Sequence, residues 1–109
     1  MNRSMTRSIV SAAVLLASLT PLAASALDGA KLFKEKTCLT CHGKDGKTTI
    51  MPNYPKIAGQ NRDYVLQQMK DIKSGARNNG QTAAMKGIMH LVNEEEMEAL
   101  ADYIATMTP

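Results

Sequence analysis

Cys38-Leu39-Thr40-Cys41-His42 holds both cysteines of this 109-residue chain and one of its two histidines. Two thiols three residues apart, near the end of a helix, can each reach one edge of a porphyrin, and the next residue, His42, then lies beneath the iron. The spacing C-x-x-C-H therefore reads as covalent attachment of a c-type haem. Other uses of a cysteine pair fit less well. A thioredoxin-like redox pair requires a preceding strand and a βαβ surround, and no segment here alternates in the strand manner. A Cys38–Cys41 disulfide would close a very short loop and stabilise little. A zinc site lacks ligands, because His90 is the only histidine outside the pentapeptide and no second cysteine pair exists.

Working outward, helix signals dominate and predict an all-α domain of three to four helices. Asp28 caps a first helix running to Lys36 and leading into Cys38, with Ala30, Leu32 and Phe33 on its inner side. From Gly43 to Gly59 the chain is punctuated by Gly43, Gly46, Pro52, Pro55 and Gly59, a loop too long to be an idle connection. Asn61 caps a second helix to about Ser74, where Val65, Met69 and Ile72 share one buried face and Gly75 supplies the stop. A second loop with Asn78-Asn79-Gly80 runs to a Met-rich patch containing Met85 and Met89. Asn93 and Glu96 form a capping-box pair for the last helix, whose inner face is Met97, Leu100, Ala101, Ile104 and Met107.

The amino-terminal residues read differently. Arg3 and Arg7, the apolar run Ile9–Ala17 and the small-residue triplet Ala24-Ser25-Ala26 have the form of a secretory signal peptide. The reading divides the chain into a cleavable leader, 1–26, and one domain, 27–109, exported to the periplasm with no permanent membrane span. Without the leader, 11 basic side chains face 10 acidic ones. With one Phe, three Tyr and no Trp, there is neither a basic stripe nor a stacking platform for nucleic acid. The same scarcity leaves an ordinary core underfilled, and a large flat cofactor supplies the missing apolar volume.

The second axial ligand decides what the iron can do, since an iron closed on both faces suits electron transfer and an open one binds small molecules. The candidates in a loop able to fold over the ring are Met85, Met89 and His90, whereas Met69, Met97 and Met107 sit at helical spacing and read as core. From Asp28 onward the chain resembles the class I c-type cytochromes, and in particular one half of a dihaem cytochrome c4. The resemblance runs through Cys38–His42, Pro52-Asn53-Tyr54-Pro55-Lys56-Ile57-Ala58-Gly59-Gln60, Tyr64–Gly75, the Met loop and the acidic-capped last helix. It implies the class I fold around one haem c bound through Cys38 and Cys41. The resemblance also implies His42 and Met85 as axial ligands, the methionine lying eight residues before Asn93. Met89 then packs against the ring. Either Pro52 or Pro55 offers a carbonyl to the imidazole of His42, and a crossing of first and last helices is built on Gly29 with Phe33 and Leu100 with Tyr103.

A pocket of Phe33, Val65, Met69, Ile72, Met89 and Leu100 around a His/Met-ligated iron is expected to serve as a one-electron carrier. The protein would not be an enzyme, would exchange electrons with a reductase donor and an oxidase or reductase acceptor, and would be a monomer or weak dimer. The alternative is a haem subunit of a multi-component oxidoreductase. Lys34, Lys36, Lys44, Lys47, Lys56 and Lys86 flank the segments expected near the ring edge and could steer docking.

Overall fold

Five helices are found in the computed structural model, which describes residues 10–15 and 27–109: α1 (Gly29–Glu35), α2 (Cys38–His42), α3 (Arg62–Ser74), α4 (Thr82–Met89) and α5 (Glu94–Thr106). The described residues contain no strand. The expected leader, apart from residues 10–15, lies outside the described residues, and no described helix is long and apolar enough to cross a membrane.

Local signals account for most of the boundaries. The Asp28 carboxylate accepts the Lys31 amide at the start of α1, and Asn61 accepts the amides of Asp63 and Tyr64 at the start of α3. Gly75 ends α3 at φ 87°, a left-handed conformation that costs glycine little. At α5 the Asn93 side chain accepts the Glu96 amide while the Glu96 carboxylate accepts the Asn93 amide, a complete capping box. The Asn93 amide, joined by Lys36, holds the Glu96 carboxyl below its usual range.

Two expectations are corrected. The first helix does not run on into the cysteines: Thr37 stands at φ 63°, the only described non-glycine residue with positive φ, and separates α1 from α2. A β-branched residue is strained there. The Met-rich patch, expected as loop, is helix α4, which brings the total to five instead of three or four. Its sequence carries no capping side chain at Gln81, and packing against α3 with burial of Thr82 and Met89 does the ordering that local signals do not.

α1 and α5 cross through Gly29. A Cβ at that position would stand 2.6 Å from Tyr103 Cβ and closer still to the Ala99 carbonyl oxygen, so only glycine lets the backbones meet. Beside it the rings of Phe33 and Tyr103 meet edge to face, centroids 5.6 Å apart, worth roughly 0.5–1.5 kcal/mol beyond the area they bury. α3 packs across α5, with Lys70–Glu94 (2.8 Å) and Arg62–Asp102 (2.7 Å) at the edges. The turn joining α4 to α5 is pinned from two directions: Lys36 Nζ donates to the Leu91 carbonyl at 2.8 Å, and Lys73 Nζ to the Val92 carbonyl.

Candidate haem site

A cavity of about 640 Å³ opens between α2, α3, α4 and the loop before α3, within the range of roughly 300–1,000 Å³ typical of cofactor-sized sites. Val65, Met69 and Ile72 line it from one face of α3, Met85, Ile88 and Met89 from α4, and Leu100 and Ile104 from α5. Cys38, Cys41 and His42 enter it together from α2. The five-residue helix explains that convergence: a single turn carries all three side chains to one wall.

His42 is buried and its orientation is fixed. Nδ1 donates to the Pro55 carbonyl at 2.9 Å, leaving Nε2 as the ring nitrogen available to a ligand. The loop that brings Pro55 there is itself closely bonded. Asp45 accepts the amides of Lys47 and Thr48 and the Thr48 hydroxyl, Ile50 N–H donates to the Cys41 carbonyl, and the amides of Ile57 and Ala58 converge on the Gly46 carbonyl. The Thr48 contacts, first by side chain and then by backbone, lower the Asp45 carboxyl to about 2. Burial pushes the Cys38 thiol up to about 11.

Of the residues expected around a cofactor, Cys38, Cys41, His42, Pro55, Val65, Met69, Ile72, Met85, Met89 and Leu100 all line this cavity. Phe33 and Pro52 do not. Phe33 is committed to Tyr103 in the helix crossing, and Pro52 is exposed on the outer part of its loop, with Pro55 instead facing His42. Met89 is fully buried, Met85 half-buried and His90 exposed. Only Lys56 of the six lysines expected at the ring edge lines the cavity; Lys36 is held by Leu91 and Glu96, and Lys47 by the carbonyls of Thr108 and Pro109.

The sequence assigns no site role to Val92, which is almost wholly buried, or to Arg77, Asn79 and Gln81, which line the cavity. Val92 was signalled by its place: it precedes the cap Asn93, and Met97, also buried, stands four residues after that cap, the two positions of a hydrophobic staple.

The residues fit a covalently tethered haem on the chemistry of the donor set: two cysteines from one helical turn, an imidazole with one nitrogen engaged and one available, the thioethers of Met69, Met85 and Met89, and an apolar enclosure. Residues 26–108 match the cytochrome c family model. The chain belongs to the cytochrome c family. Its cofactor is accordingly haem c. The chain is 38% identical over 94 residues to cytochrome c4 of Pseudomonas aeruginosa, covering 85% of this chain and 45% of that protein. It is 34% identical over 85 residues to cytochrome c-553 of Nitratidesulfovibrio vulgaris, covering 78% of this chain and 81% of that one. The solved structure of reduced recombinant cytochrome c4 from Pseudomonas stutzeri superposes with a TM-score of 0.66 at 31% identity, over 73% of this chain and 46% of the other. The chain thus spans just under half the length of these cytochrome c4 relatives.

Proposed function

We propose that this protein is a periplasmic one-electron carrier, not itself an enzyme, whose single haem c is tethered by Cys38 and Cys41 and ligated by His42 on one face and Met85 on the other. The observation that carries this reading is one cavity lined by all four residues, with the His42 imidazole locked by the Pro55 carbonyl. When bound, the haem supplies a one-electron ferric/ferrous couple. The Pro55 carbonyl holds the His42 tautomer and makes its other nitrogen a better donor. The Met85 thioether, a soft neutral ligand, favours the ferrous form and raises the potential above that of a bis-histidine site. Val65, Met69, Ile72, Met89 and Leu100 exclude water and disfavour the extra positive charge of the oxidised state. With His42 and Met85 both holding the iron, no coordination site would be left for a small molecule, which would separate a carrier from a gas sensor or peroxidase.

Its partners on this reading are redox proteins, a reductase as donor and an oxidase or second reductase as acceptor, and the leader at 1–26 directs it to the periplasm. Replacement of Met85 by Ala in the holoprotein tests the ligand set. The near-infrared band of the ferric Met–iron bond is expected to vanish, and the reduced protein to bind carbon monoxide. Persistence of the band in Met85→Ala, with its loss in Met89→Ala, would reject Met85.

A further inference from the structure

The loop between α2 and α3 carries Pro55 and is fastened on two sides. Toward α2, Ile50 N–H donates to the Cys41 carbonyl, and the Pro55 carbonyl accepts from His42. Both bonds join the loop to the five residues it directly follows, so neither holds loop and α2 against the rest of the bundle. Among the described residues α2 packs on α1 and not on α5.

The other fastenings come from α5 and the residues after it. Gly59 N–H donates to the Ile104 carbonyl at 3.0 Å, and Lys47 Nζ lies 3.3 Å from the carbonyl oxygens of both Thr108 and Pro109. Apolar contacts close the same seam. A Cβ at Gly46 would stand 3.0 Å from both Sδ and Cε of Met107, and one at Gly59 would run into the Pro109 ring. Gly46 is the residue whose carbonyl gathers the amides of Ile57 and Ala58. Half-buried Met107 therefore presses on the point where the loop returns after Pro55. Gly46, Lys47, Met107 and Pro109 all lie outside the cavity lining, so whatever they do for the iron they do through the loop.

We infer that Met107 is a positioning residue for the imidazole ligand: it clamps residues 46–59 and so keeps the Pro55 carbonyl on His42 Nδ1. This rests on the reading of His42 as an axial ligand given above. A carbonyl on Nδ1–H strengthens the other ring nitrogen as a donor. A stronger donor favours ferric iron, so releasing the clamp raises the midpoint potential. Water entering the cavity acts in the opposite sense, because a more polar surround favours the extra ferric charge. The sign of the change separates a loosened hydrogen bond from a leaking pocket.

The test compares purified holoproteins: wild type, M107A, M107L, K47M and G29A. Cofactor mass and the ferric Met–iron band are read first. If wild type lacks them, the haem reading fails and the clamp has no iron to serve; with both present, the later readings bear on the clamp alone. Solvent exchange of the His42 Nδ1 proton is then followed by NMR in the ferrous protein, and the midpoint potential is measured. M107A is expected to speed that exchange about tenfold and to raise the potential. K47M should do both to a smaller degree, and M107L should restore wild-type values. G29A, which strains the α1–α5 crossing, is expected to move neither. Wild-type exchange in M107A, a fall in its potential, or a G29A variant that reproduces the M107A changes overturns the inference. Should M107A yield no holoprotein, K47M decides alone: an unmoved Nδ1 proton rejects the clamp.

Discussion

The α1–α5 crossing and the cleft between α3 and α4 are made of similar side chains but closed in different ways. At the crossing the chain satisfies itself: Gly29 admits the partner backbone, Phe33 and Tyr103 lock edge to face, and Ala99 and Ala101 are buried without help. In the cleft Val65, Met69, Ile72 and Met89 surround about 640 Å³ that the chain does not fill. One side of the molecule can be assembled by the polypeptide alone, and the other is half of a core whose second half is the cofactor. In a domain this small, that missing half is a large share of the total apolar burial.

The sharpest way to break this contrast is to remove the tether. Replacing Cys38 and Cys41 together by Ala is expected to give colourless protein with the mass of its amino acids alone and a large loss of helical circular dichroism. Retention of full helicity would show that the cleft closes without its cofactor. A smaller effect is expected from Met89→Ala, which empties a fully buried site; by analogy with other buried Met truncations it should cost about 2–5 kcal/mol in denaturant unfolding and leave the Met–iron band in place. On the other side of the comparison, Gly29→Ala overpacks the crossing and should cost roughly 1–3 kcal/mol with an unchanged visible spectrum, because the perturbed contacts lie outside the cavity lining.

The smallest effect concerns the loop that presents Pro55. The Asp45 carboxyl is depressed from 3.8 to about 2 in the folded protein. Its contribution to stability is therefore complete above the unfolded value and is lost as pH falls through about 2. Asp45→Asn should flatten that acid limb in a thermal-melt series against pH, leaving neutral-pH spectra as they were.

What could be read from the sequence follows the same division. Asp28, Asn61, Gly75 and the Asn93–Glu96 pair act on backbone groups within a few residues of themselves, so helix ends at those positions were legible, and so was the pentapeptide at Cys38. α4 was not. Its first residue follows Gln81, which makes no side-chain cap, and Gly87 interrupts it, so its helicity depends on a neighbour that no local pattern announces. Thr37 was missed for a related reason: threonine is a poor indicator of a left-handed residue, and its conformation is imposed by the elements on either side. Two prolines were equal candidates on paper for the His42 carbonyl, and only the folded path of the loop separates Pro55 from Pro52.

The two lysine ammonium groups on the Leu91 and Val92 carbonyls give α4, which bears Met85 and Met89, one end fastened more firmly than the other. Its carboxyl end is fastened to α1 and α3 by Lys36 and Lys73, while its amino end starts without a side-chain latch. Opening of the cleft is accordingly expected to start at the Gln81 end and not at the 91–92 turn, so amide exchange along α4 should run as a gradient, fastest near its amino end and slowest toward Met89.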